Sequence, residues 1–267
     1  MSIRKVDLIV IDGQNDFCDP KGSLYVGGAD KDMDNLSLFI EKNSKKLNQI
    51  HATLDTHHVF SIFHPMFWID SAGSHPAPFS MITVDDVENG KWIAIAPGLR
   101  KRATEYVRAL AKKGKYLLII WPEHCLIGTW GTQLYPSFVN ALLKWERDNV
   151  GMVDFVTKGS NFLTEHYSAV QADVPDPSDS STLINMPFIN TINTADEILF
   201  GGEALSHCVA YTMDDIFDNI SPDAVKKFVL LTDASAPVGG FEKNAEDFVK
   251  RATARGVRLA TTKDYLF

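Results

Sequence analysis

No apolar run in the 267 residues approaches the ~18 needed to cross a bilayer, so no membrane-spanning helix is expected. The opening MSIRKVDLIVID has one short apolar stretch, ended by Asp12, which is too brief for a signal-peptide core with a cleavage site. Cysteine is scarce. Cys18, Cys125 and Cys208 are odd in number and widely spaced, which argues against a disulfide framework and fits a reducing, cytoplasmic setting. Basic residues are outnumbered, 26 Lys and Arg against 34 Asp and Glu, and a net charge of −8 speaks against nucleic-acid binding. No G-x-G-x-x-G follows the first apolar strand, so a dinucleotide-binding fold has no fingerprint here. Internal repeats and low-complexity segments are also missing.

What remains is ordinary globular material, 45% hydrophobic and 22% charged, arranged as short apolar runs alternating with longer amphipathic ones. Strands are expected at Val6–Ile11, Ile50–Leu54, Tyr116–Trp121, Met152–Thr157, Glu197–Gly201, Lys227–Thr232 and Val257–Ala260. Helices are expected at Asp34–Gln49, Gly98–Lys113, Pro136–Trp145, Ser181–Asn193, Cys208–Asp218 and Glu242–Arg255. This rhythm predicts an α/β three-layer sandwich, a mainly parallel central sheet flanked by helices. The 1–267 chain reads as one domain with two irregular insertions, near 60–96 and 171–180, which read as a lid or an oligomer contact.

In open parallel sheets, sites lie at the carboxyl ends of strands. Asp12, Asp55, the Trp121–Cys125 segment, Lys158 and the turn before Cys208 all fall there. Asp12 leaves a buried apolar strand, and a desolvated carboxylate there suits a general base. Lys158 can hold a neighbouring thiolate charged, and Cys208 stands where a strand turns into a helix whose free N–H groups favour a thiolate. Asp55 and His57 alternate along one strand end and can share a ligand point, with His64 and His124 as further nitrogen donors. A His/Asp set suits zinc, iron or manganese without choosing among them. A three-residue set leaves positions open for water or substrate, as catalytic sites do.

The segments LIVIDGQNDF, DTH, WPEHCLIGTWG, VTKG with a nearby YSA, GGEALSHCV and VLLTDAS, in this order, resemble the nicotinamidase branch of the isochorismatase-like cysteine hydrolases. The resemblance implies a triad of Asp12, Lys158 and Cys208, and an oxyanion hole from the Ala204 and Cys208 amides, with a cis peptide at Glu203–Ala204. It implies a divalent metal, zinc ahead of iron or manganese, on Asp55, His57 and His124, with a further histidine. The family commonly sets that histidine six residues after the first. His64 lies seven after His57, and His58 and His75 are alternatives. Phe17 and Trp121 match aromatic positions that flank the substrate ring. Ser206 stands where the family more often has aspartate. The implied activity is hydrolysis of nicotinamide to nicotinate and ammonia through a cysteine thioester, a step of NAD salvage, in a cytoplasmic homo-oligomer with a small-molecule amide as its partner. The alternative within the superfamily is another small amide or an N-carbamoyl or ureido compound. A silent binding protein is the alternative of a different class, and the intact triad weighs against it.

Overall fold

The computed structural model describes residues 4–113 and 117–267. Six strands form one parallel sheet: β1 (Val6–Ile11), β2 (Leu47–Asp55), β3 (Asp154–Lys158), β4 (Glu197–Gly202), β5 (Phe228–Leu231) and β6 (Arg258–Ala260). Their spatial order is β6-β5-β4-β1-β2-β3. β1, β4 and β5 are buried at every residue, as the centre of a sheet covered on both faces requires. The edge strands β3 and β6 are partly exposed. Six helices flank the sheet: α1 (Ala29–Asn43), α2 (Arg100–Lys113), α3 (Pro136–Asn149), α4 (Met186–Ile192), α5 (Cys208–Phe217) and α6 (Glu242–Arg255). No helix among the described residues is long and apolar enough to cross a membrane.

The chain moves outward one way through β1, β2 and β3, then restarts at β4 and moves the other way. The direction reverses between β1 and β4, and a crevice opens outside their carboxyl ends at such a switch point. Asp12 follows β1 and the Cys208 turn follows β4, so both flank that crevice.

Four expectations need correction. The strand expected over 116–121 is not part of the parallel sheet. Leu118–Ile119 instead pairs antiparallel with Met81–Ile82 from the first insertion, and Tyr116 lies outside the described residues. β2 is already paired on both sides, by β1 and β3, and this segment hydrogen-bonds to the insertion instead. The helix expected over Asp34–Gln49 spans Ala29–Asn43, and Leu47–Gln49 open β2, where Gln49 pairs with Asp7. The helix expected over Ser181–Asn193 is confined to Met186–Ile192, capped by the Asn185 side chain, which accepts from the Phe188 N–H at 3.1 Å. The insertion near 60–96 is mostly irregular, as expected, but holds a helical turn at Val84–Glu88. A capping box between Thr83 and Asp86 starts it, and five residues are too few to show a helical period.

Candidate active site

β1 delivers Asp12 into the crevice with a φ of +44°. Its N–H donates to Thr53 Oγ1 at 3.0 Å, and the same hydroxyl donates to Asp12 Oδ1 at 2.5 Å. The residues after it act as a clamp. Gln14 Nε2 donates to the Asp55 carbonyl (2.7 Å) and Gln14 Oε1 accepts from the Asp55 N–H (2.7 Å), which ties the ends of β1 and β2 together. Asp16 Oδ2 accepts from the Cys125 N–H at 2.6 Å, which fixes the segment carrying His124. A Cβ on Gly131 would overlap the Asp16 carboxylate, so only glycine fits there.

Lys158 closes β3 opposite Asp55 in the ladder and is buried. Its Nζ lies 2.9 Å from Asp12 Oδ2, 2.7 Å from Asp55 Oδ1 and 3.7 Å from Cys208 Sγ, and donates to the His166 carbonyl at 3.0 Å. Gly159 follows at a φ of +83°, and a Cβ there would come within 2.5 Å of the His57 ring and 2.9 Å of Asp55 Oδ1. A lysine–glycine pair is therefore what this corner can hold.

The turn after β4 runs from Gly202 to His207, with a cis peptide between Glu203 and Ala204. Cys208 is the first residue of α5, and its Sγ, an Asp12 oxygen and an Asp55 oxygen all lie within 4.8 Å of one another. Among the described residues, the N–H groups of Ala204 and Cys208 find no backbone acceptor. Two free donors beside a thiol are what an oxyanion needs.

The electrostatics divide the labour. Burial pushes Asp12 above the usual carboxylate range, opposed by the Lys158 charge. Burial works the same way on Asp55, but the charges of His57 and Lys158 outweigh it and hold that carboxyl below the usual range. Lys158 would be lowered by burial, yet Asp12 and Asp55 raise it, so it stays an ammonium. Burial pushes the Cys208 thiol well up, and Asp12 and Asp55 add to this against Lys158. The sulfur therefore holds its proton more tightly than a free thiol, against the pull of the helix start, and needs a base beside it.

Beside the triad is a nest of imidazoles. His57 Nε2 lies 3.0 Å from Asp55 Oδ2, and His124 Nε2 lies 4.0 Å from it. Ligand atoms of Asp55, His57 and His124 converge within 4.8 Å. His57 Nδ1 sits 3.0 Å from the Gly159 carbonyl, His124 Nδ1 2.8 Å from the Pro122 carbonyl and His64 Nδ1 3.0 Å from the His58 carbonyl. A proton on each Nδ1 leaves each Nε2 as a lone-pair donor, the arrangement metal-binding histidines favour. His57 Nε2 is buried with no hydrogen-bond partner, which fits a cation between it and Asp55. Burial lowers His64 to about 4 and holds His124 well below the ordinary range, so both are neutral. His64 is buried and reaches His124 Nδ1 at 3.4 Å, one step outside the tightest set. His58 and His75 are exposed, and His75 Nδ1 instead meets the Trp68 carbonyl at 2.7 Å.

A narrow cleft opens over Cys208, lined among others by Phe17, Trp121, His124, Glu165, Tyr167 and His207. Phe17 stands edge-on to His124, with centroids 5.4 Å apart, and Trp121 Nε1 donates to Tyr167 Oη at 2.8 Å. Sequence reasoning missed Thr53, and assigned no task to Gln14, Asp16, Glu165, Tyr167 or His207. Thr53 was accessible in principle, since it shares the Asp55 face of β2 at strand spacing. The others reach the site through irregular backbone, for which no periodicity exists.

No family model matches this sequence. A curated relative, the nicotinamidase of Saccharomyces cerevisiae, is 28% identical over 209 residues, covering 77% of this chain and 78% of that one. The crystal structure of the yeast nicotinamidase Pnc1p bound to the inhibitor nicotinaldehyde superposes with a TM-score of 0.65 at 21% identity, covering 96% of this chain and 99% of that one. The crystal structure of the Pyrococcus horikoshii pyrazinamidase in complex with zinc gives a TM-score of 0.54 at 20% identity, covering 96% and 99%.

Proposed function

We propose that this chain, which stands in the nicotinamidase branch of the isochorismatase-like cysteine hydrolases, hydrolyses nicotinamide to nicotinate and ammonia through a thioester on Cys208. The observation that carries the reading is the position of Lys158 Nζ, within 3 Å of both Asp12 and Asp55 and 3.7 Å from Cys208 Sγ. In this scheme Cys208 Sγ attacks the carboxamide carbon as its proton passes to Asp12, whose raised proton affinity suits that task. The Ala204 and Cys208 N–H groups receive the oxyanion. The C–N bond then breaks, and Asp12 returns the proton to the leaving nitrogen, which departs as ammonia. Water, deprotonated by Asp12, attacks the thioester. Nicotinate leaves, and the sulfur recovers the proton. Lys158 remains an ammonium throughout and keeps Asp12 in place.

A divalent cation, zinc by this reading with iron or manganese as alternatives, would be held by Asp55, His57 and His124, with His64 adjoining. When bound it supplies a Lewis-acid point for the ring nitrogen or for a water beside it. Phe17 and Trp121 flank the ring. The chain is read as one domain spanning 1–267. A cytoplasmic location is supported by three buried free cysteines. Self-association is supported by the apolar side chains of Val150, Met152 and Phe155, which stand in solvent at or just before β3.

The test is ammonia release by the wild type and Cys208→Ala, in parallel, over nicotinamide, other small amides and N-carbamoyl compounds. Turnover of nicotinamide by the wild type alone is expected. Full amidase activity in purified Cys208→Ala would overturn the thioester, and exclusive turnover of N-carbamoyl compounds would shift the substrate class.

A further inference from the structure

Glu203 is an odd residue to find at the oxyanion turn. It is 0% exposed, and no lysine, arginine or histidine among the described residues acts on it. Its Oε2 accepts from the Ala236 N–H at 3.2 Å, while Oε1 is buried with no donor to accept from. The titratable group acting on it from α1 is another carboxyl, Asp32, placed so that a proton can be shared between the two. Two carboxyls bond to each other only when one carries a proton. An unpaired, fully buried carboxylate would cost several kcal/mol, whereas Asp32 is partly exposed and can carry the charge in water. The proton therefore belongs on Glu203. Consistently, burial and then the Asp32 charge push Glu203 well above the usual carboxylate range, and burial raises Asp32 to about 6. Beyond this pair, the surrounding titratable groups are also acidic: Asp233 and Asp30 act on Asp32, and the Cys18 thiol feels Glu203.

The backbone around Glu203 explains what such a contact can do. Its N–H donates to the Ile11 carbonyl at 2.8 Å, which ties it to the residue before Asp12. Ala236 is bonded twice to the turn: its N–H donates to Glu203, and its carbonyl accepts from the Leu205 N–H at 2.8 Å. Between Glu203 and Leu205 lies Ala204, which lines the cleft and whose N–H has no backbone acceptor among the described residues. Glu203 thus links three elements, its backbone to β1 and its side chain to α1 and the loop after β5, at the residue that precedes the Ala204 N–H.

We propose that Glu203 is a positioning residue for the oxyanion-binding turn: as a neutral acid it bonds Asp32 on one side and the Ala236 N–H on the other, and so aims the Ala204 N–H at the oxygen that gains charge. The proposal rests on the cysteine-hydrolase reading given above. Glu203 touches neither substrate nor sulfur and acts through Ala204.

The experiment uses purified wild type, Glu203→Gln, Glu203→Ala and Cys208→Ala, with nicotinamide as substrate, nicotinaldehyde as inhibitor and nicotinate as product ligand. An aldehyde captured by the thiol carries an oxyanion and needs the same donors; nicotinate does not probe a forming oxyanion. Glutamine keeps a donor and an acceptor of the same shape, so Glu203→Gln is expected to retain kcat within about threefold of wild type. Glu203→Ala is expected to lose about 100-fold in kcat, the scale of one oxyanion donor, and a similar factor in nicotinaldehyde affinity. Its KM and nicotinate affinity should stay within about threefold. General loosening would degrade all four quantities together, and glutamine would not rescue it selectively. Equal losses for nicotinate and nicotinaldehyde, or a Glu203→Ala enzyme with wild-type kcat, would overturn the proposal while leaving the parent reading intact. A wild type that releases no ammonia from any amide would instead overturn the parent reading, and this proposal with it.

Discussion

Replacing Lys158 by methionine isolates the charge that holds the site together. The side chain is buried, its length is nearly kept, and packing changes little. What disappears is the ammonium between Asp12 and Asp55, 2.9 and 2.7 Å from their oxygens and, among the described residues, the only one there. Those carboxylates keep oxygens within 4.8 Å of each other. At an effective dielectric of about 20, two like charges at that separation repel by ~3.5 kcal/mol. Breaking a buried pair by removing one partner typically costs about 3–5 kcal/mol, so both routes give the same scale. For a chain of this length that corresponds to roughly 10 °C in melting temperature. Urea and thermal unfolding of Lys158→Met should show this loss, and added salt should change it little, because buried charges are poorly screened. Introducing Asp12→Asn into Lys158→Met removes one of the two stranded charges and should restore at least half of the lost stability. If the double variant is no more stable than Lys158→Met, the loss is one of packing, and the charge argument is wrong.

Other outcomes follow from the same geometry. His51 is buried between Asp7, 3.6 Å from its Nε2, and Asp154, 2.7 Å from its Nδ1. Burial alone would lower it, but the carboxylates of Asp7 and Asp154 win and raise its pKa. Its stabilising contribution is therefore complete below about pH 6.5, the unfolded value, and is lost as pH rises through the folded one. Unfolding of wild type and His51→Gln from pH 6 to 9 should show that slope in the wild type only. Gly131→Ala should push the Asp16 carboxylate off the Cys125 N–H and cost about 2–3 kcal/mol, the range of a charged hydrogen bond; an unchanged melting curve would refute this. Elemental analysis of purified protein should find about one divalent ion per chain, reduced more by His57→Ala than by His64→Ala, because His64 lies outside the tightest set. Verified removal of the metal with no change in nicotinamide affinity would refute its role at the ring.

Some of this protein is written in local order. The runs LIVI in β1 and VLL in β5 can be satisfied only by burial on both faces, and the helical spacing between strands makes the sheet parallel. Every parallel strand ends at the same edge, so Asp12, Asp55, Lys158 and the turn to Cys208 had to meet there, whatever the details of packing. Other features were decided by contacts between segments far apart along the chain. Period and spacing treat His57, His58, His64 and His75 alike, yet only the fold buries His57 and His64 and turns His58 and His75 to solvent. Leu118–Ile119 has the composition of a sheet strand but pairs with the insertion, outside the parallel sheet. The thiol state of Cys208 and the carboxyl pair of Asp32 and Glu203 depend on distances between charges and on the water excluded around them. Such energies vary with separation in space and with burial, neither of which a one-dimensional order of residues contains.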